Sequence, residues 1–135
     1  MRNNIYRKEN QMSDKGLEIL RQMLGKGRTD EVREAWSRLS PDFARLVTDF
    51  VAGEVWSRPN LELKTRSLIT VAALAALGRT NALRLNIEMA LNNGATRTEV
   101  LETILHMAVY AGFPACWDAL VIADEVFSRK QAGHA

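Results

Sequence analysis

The sequence is short of several things, and each shortage removes a class of function. It has a single cysteine, Cys116. One cysteine excludes an internal disulfide and any CxxC redox pair. Neither sign of charge is in excess: 18 basic against 16 acidic residues leave a formal net charge of +2. No stretch gathers Lys and Arg onto one face, so nucleic-acid binding has no electrostatic footprint. Long apolar runs are missing too. The longest strictly apolar run after Thr70 is Val71 to Leu77, far short of the ~20 residues that span a bilayer. The basic start MRNNIYRKEN carries no apolar core, so it does not read as a secretory signal. No His/Cys/Asp/Glu cluster has metal-ligand spacing. No glycine-rich loop precedes a helix in the pattern of a phosphate site. The expectation is a soluble, cytoplasmic chain without nucleic-acid, membrane or metal partners.

Strand signals are absent as well: no apolar residues alternate at period two, and no hairpin signal stands between such runs. What is present reads as helix. A short helix is expected over residues 14–24, capped by Ser13 and closed by Gly25 and Gly27. Thr29 or Asp30 is expected to cap a second, over EVREAWSRL. Ser40-Pro41 opens a third. There Phe43, Leu46, Val47, Phe50 and Val51 recur at helical spacing and predict a core face; Pro59 ends the segment. A fourth helix runs from about Leu61 to Leu77, with Gly78 as its left-handed cap. Thr80 opens a fifth, closed by Gly94. Thr96 and Glu99 form the capping box of a sixth. Gly112 closes that one, and Pro114 opens a seventh that ends near Lys130. The fold class is therefore all-α: one domain of about six to seven helices over residues 12–130, with 1–11 a disordered extension and 131–135 a frayed tail. The helix around Leu68–Leu77 is apolar nearly all round, which implies burial on every side. In a chain this short, a second subunit covers one face most easily, so an oligomer is expected.

Three groups of residues can carry chemistry. On the sixth helix, Val100, Leu101, Ile104, Leu105, Ala108 and Val109 are expected in the core. Glu102, His106 and Tyr110 stand at i, i+4 and i+8 and project together. They read either as a proton-transfer set or as a solvated face with a Glu-His pair. Cys116, just inside a helix start, reads as a reactive thiolate or as a small buried apolar residue. His134 lies in the tail, away from this chemistry. The third group is the segment GEVWSRPNLELKTRSLIT, Gly53 to Thr70. Taken singly, Arg58, Lys64 and Arg66 are solvated charges. Taken together, Glu54 and Trp56 close one helix while Arg66 opens the next, and an arginine there is the natural fork for a carboxylate.

That segment, continued as GEVWSRPNLELKTRSLITVAALAALGR, resembles the corresponding stretch of the γ-carboxymuconolactone decarboxylase family. The later ALNNGATRTEVLETILHMAVYAGFPAC resembles the family's A-L-x-N-G-x-T-x-x-E and Y-x-G-x-P-A segments, and the match runs from about Ser13 to Phe127. The resemblance implies an alkylhydroperoxidase-type helical fold and a hexamer. It implies cofactor-independent decarboxylation of 4-carboxymuconolactone, or a close analogue, to 3-oxoadipate enol-lactone, in aromatic catabolism by the β-ketoadipate route. Such a reaction must hold two carboxylates, stabilise an oxyanion and deliver a proton. Arg66, with Arg58 as helper, suits the anions, and Trp56 lines the same site. Glu54 can deliver the proton, and His106 and Tyr110 can donate to the oxyanion. The sequence departs from the family at Asn86, where a histidine is usual. Asn86 can bind substrate through hydrogen bonds but cannot shuttle a proton. Either His106 or Glu54 carries the proton, or the chain is a hexameric member that binds a small carboxylate without this decarboxylase activity. The redox cysteines of the thiol peroxidase relatives would fall at Arg79 and Ala82, so their chemistry is absent.

Overall fold

Left-handed glycines and side-chain caps cut the chain into helices. The computed structural model describes residues 14–132. Among them are seven helices and no strand. They are α1 (14–24), α2 (Lys26–Leu39), α3 (Pro41–Leu46, continued as a π-helix over Val47–Trp56), α4 (Leu63–Leu77), α5 (Thr80–Asn92), α6 (Arg97–Ala111) and α7 (Phe113–Gln131). The all-α expectation is met. The expected N-terminal extension, the Ser13 cap and His134 lie outside the described residues.

Most helix ends follow local chemistry. Gly78 ends α4 at φ 68°, a left-handed conformation that costs glycine nothing. Pro41 starts α3 behind Ser40, whose hydroxyl accepts the Phe43 amide at 3.2 Å. Thr96 and Glu99 form the reciprocal capping box of α6, at 3.0 Å in each direction. One expected cap is not there. Helix α2 begins at Lys26, so neither Thr29 nor Asp30 caps it. Thr29 is instead fully buried, and its hydroxyl donates to the Gly25 carbonyl at 2.6 Å. That back-bond satisfies a polar side chain inside a helix.

The residues fall into two compact units, one ending at Leu61 and one beginning at Glu62. In the first, Leu20, Met23, Leu24, Val32, Ala44 and Ala52 are buried. The apolar row read on its third helix does not face the core: Phe43, Leu46, Phe50 and Val51 are exposed. Ala44, Thr48, Ala52 and Gly53 face inward instead. The winding explains the change for Phe50 and Val51: from Val47 the helix is π-type, each turn takes in an extra residue, and a row read at 3.6 spacing rotates off the core. Phe43 and Leu46 lie on the α-helical turns before it, where Ala44 is the inward residue. Small inward residues also let the backbone of α1 approach: a Cβ on Gly16 would overlap the Thr48 carbonyl oxygen.

The second unit packs α4 to α7 around one cluster that includes Val71, Leu83, Ile87, Val100 and Ile104. Burying each of these large side chains stabilises the fold by about 1.5–3 kcal/mol. Polar ties join its helices. Asn93 Nδ2 donates to the buried Ser67 hydroxyl at 2.8 Å, and Arg84 pairs with Glu125 at 3.1 Å. Cys116 is buried in the same cluster and packs as a small apolar residue. Within the chain α4 leaves Ile69 and Leu77 exposed, the kind of face the sequence reading gave to a second subunit. The expected core row of α6 is met only in part. On α6 only Val100, Ile104 and Ala108 are buried, while Leu101, Leu105 and Val109 are exposed. A helix on the face of a small bundle presents one stripe inward, so the second apolar stripe of each remains outside. On α7, Phe113, Trp117 and Val121 are likewise exposed. No helix among the described residues is long and apolar enough to cross a membrane.

Candidate active site

Helix α4 starts without a side-chain capping bond from its N-cap, Glu62, and its first turn holds no acid. The first amides of a helix lack intrahelical partners and carry partial positive charge. Lys64 and Arg66 add full charges to that end. The two cations have different roles. Lys64 Nζ lies 2.9 Å from Glu99 Oε2 on α6, so its charge is neutralised by an ion pair rather than solvated. Arg66 is half-buried one turn into α4.

The pairing holds the Glu99 carboxyl below its ordinary value, first through the Lys64 hydrogen bond and then through the Thr96 amide. A depressed carboxyl contributes above its unfolded value and loses that contribution as pH falls through the folded one. The tie between α4 and α6 is therefore in place at neutral pH and opens in acid.

Along α6 the expected stripe is present. The His106 and Tyr110 rings lie 5.2 Å apart at 49°. Glu102 and His106 line an open depression of about 610 Å³, together with Ala72 of α4 and Thr103, Met107 and Val109 of α6. Glu102 and His106 are the ionisable groups of that lining. Arg66 precedes Ala72 by six residues on α4, about 9 Å of helix rise. Tyr110 is 73% exposed and touches the site through the His106 ring. Asn86 sits midway along α5 and donates an amide N–H to the Ala82 carbonyl at 2.8 Å. One of its donors is thus spent on its own helix.

The remaining expected residues lie in the first unit, at the end of the π-helix. Glu54 is exposed, Trp56 half-buried and Arg58 exposed. The turn that carries them is fixed locally. The Ser57 hydroxyl donates to the Gly53 carbonyl at 2.6 Å, and the Arg58 amide donates to the Val55 carbonyl at 3.2 Å. A π-helix ending on these residues was not visible as such in the sequence; π turns recur at functional sites. Sequence reasoning also missed the partner of Lys64. A capping-box glutamate uses one oxygen on its own N-cap and has a second to offer, but nothing in the sequence says to which cation.

In chemical terms, the second unit carries a cationic, uncapped helix start and, on a neighbouring helix, an imidazole beside a phenol. The first can hold a carboxylate, and the second can give a proton. Among the described residues no group of three or more side chains is placed to hold a metal ion.

The chain is similar to known proteins over most of its length. The chain is 42% identical over 119 residues to the 4-carboxymuconolactone decarboxylase of Acinetobacter baylyi, covering 88% of this chain and 89% of that protein. It is 34% identical over 119 residues to the nitrosuccinic acid decarboxylase of Metarhizium robertsii, covering 85% of this chain and 80% of that one. An uncharacterized 15.0 kDa protein of Paracoccus denitrificans is 34% identical over 98 residues, covering 71% and 73%. The sequence model of the carboxymuconolactone decarboxylase family matches residues 41–125, and the chain belongs to that family.

Proposed function

We propose that the chain is a carboxy-lyase that decarboxylates 4-carboxymuconolactone, or a close analogue, without a cofactor, in aromatic catabolism in the cytoplasm. The observation that carries this reading is the second unit's pairing of two features. Arg66 lies on the acid-free first turn of α4, and the His106–Tyr110 contact lies on α6. The bond between the ring carbon and the departing carboxylate breaks. Its electron pair moves through the conjugated C=C onto the lactone carbonyl oxygen, and carbon dioxide leaves. The dienolate then takes a proton on carbon. The substrate's own carbonyl is the electron sink. The protein has only to hold anions, stabilise an oxyanion and supply the proton. Arg66 holds carboxylate, with Arg58 and Trp56 in supporting roles assigned on chemical grounds. His106 and Tyr110 serve the oxyanion and the proton, Glu54 is the alternative donor, and Asn86 offers its remaining amide groups to substrate. Incubation with 4-carboxymuconolactone, following carbon dioxide, tests the reading; no release above the uncatalysed rate would sink it.

One observation favours a second reading, a family member that binds a small carboxylate without this turnover. Asn86 stands where the family usually has histidine, and its amide is turned onto the Ala82 carbonyl. Calorimetric binding of the lactone without carbon dioxide release would mark that case.

We place this activity in a homo-oligomer, a hexamer on the family pattern. Exposed apolar rows on α4, α6 and α7 support an assembly; Val109 is 79% exposed and Trp117 is 73% exposed. A chain with such rows left open to water is an aggregation hazard unless a partner covers them. Light scattering is expected to give an oligomer at micromolar concentration, and Trp117→Glu with Val109→Glu is expected to dissociate it. A stable wild-type monomer would defeat this.

A further inference from the structure

The Lys64–Glu99 pair joins α4 to α6 beside the depression. Each oxygen of its carboxylate has a partner, and the Glu99 backbone is held as well. Glu99 Oε2 meets Lys64 Nζ at 2.9 Å, while Oε1 accepts the Thr96 amide at 3.0 Å. The Glu99 amide donates to the Thr96 hydroxyl at 3.0 Å. Thr103, which lines the depression, donates its hydroxyl to the Glu99 carbonyl at 2.7 Å. Lys64 therefore meets a fixed carboxylate, not a swinging one.

From this pair α4 and α6 run to the depression in step. Ala72 lies eight residues beyond Lys64, and His106 lies seven beyond Glu99. The corresponding helix rises are about 12 and 10.5 Å, and both residues line the depression. Rises that match so closely make the pair a register mark. A slip of one turn, about 5.4 Å, would carry His106 past Ala72. We infer that Lys64 is a positioning residue of the site: through Glu99 it sets where Glu102, His106 and Tyr110 stand against α4, and it is not one of the anion ligands. A half-exposed ion pair adds little to global stability, because water screens it and two long side chains must be ordered. Its effect is on place more than on folding.

Lys64→Met, Glu99→Gln and the double variant test this directly. Glutamine retains the capping box, so Glu99→Gln removes the ion pair alone. Met107 lies in the lining, and its methyl NMR resonance reports the geometry without any reaction. That resonance is expected to move by similar amounts in both single variants and no further in the double. Lys64→Arg should leave it in place. With 4-carboxymuconolactone, kcat is expected to fall roughly tenfold or more in each single variant and no further in the double, as for a misplaced catalytic group. KM and Tm should change little. An unmoved Met107 resonance in either single variant, or additive shifts in the double, would overturn the assignment. Only the activity measurement rests on the decarboxylase reading. If the wild type releases no carbon dioxide, that reading fails, and the resonance still decides the role of Lys64.

Discussion

Arg66→Ala is expected to weaken binding of a non-reacting dicarboxylate such as adipate by about 2–4 kcal/mol, the scale for removing one side of a desolvated charge pair. In affinity this is a loss of roughly 30- to 700-fold. The expectation follows from the start of α4. No acid stands in its first turn and no side chain caps it, so its amides and the Arg66 charge add at one end. Lys64 contributes little there, since Glu99 already neutralises it. Arg66 carries the planar guanidinium fork, which can grip a carboxylate with two parallel hydrogen bonds. Thermal stability should fall by less than about 1 kcal/mol, because a cation at a helix N-terminus opposes the macrodipole and its removal offsets some lost packing. Arg66→Lys keeps the charge but not the fork, and should fall between the two. Calorimetry showing wild-type affinity in Arg66→Ala would place the anion site elsewhere.

The helix ends were legible in the sequence because each is a local event. Gly78, Ser40-Pro41 and the Thr96–Glu99 box act within one turn, and the structure has all three. Thr29 misled because a threonine before an apolar run reads as a cap. Its back-bond to Gly25 depends on how far α2 extends toward its N-terminus. The inward faces were legible only where 3.6 periodicity holds. On α3 the π winding from Val47 onward turns Phe50 and Val51 outward, and no residue in that run announces the extra residue per turn. On α6 the expected core row was twice too wide, because one chain supplies neighbours for only one of its two apolar stripes. The His106–Tyr110 contact was legible, since i and i+4 on a helix are adjacent by construction. The partner of Lys64 was not, because it lies 35 positions away and only packing of α4 on α6 brings it near.

Gly16→Ala tests the other consequence of the π winding, and it is expected to destabilise the protein by about 1–3 kcal/mol. On an isolated helix this change would help: alanine is the better helix former by about 1 kcal/mol. In this fold the sign reverses. Gly16 is buried within α1, and a Cβ there would overlap the Thr48 carbonyl oxygen and come within 3.3 Å of the Gly53 amide nitrogen. Thr48 and Gly53 are positions i and i+5, the pair that π winding joins. The obstacle is backbone, not the tip of a flexible side chain, so it cannot turn aside. Thr48 is also held by its neighbours: its hydroxyl donates to the Ala44 carbonyl at 2.8 Å and accepts Arg33 Nε at 3.2 Å. Relief must come from moving α1 or from rewinding the segment that ends on Glu54, Val55 and Trp56. Thermal or urea unfolding reads the cost. Gly27→Ala serves as the control, since a Cβ at Gly27 meets nothing within 4 Å, and it should gain stability or stay level. Equal behaviour of the two variants would mean that α1 does not lie against the π-helix as described.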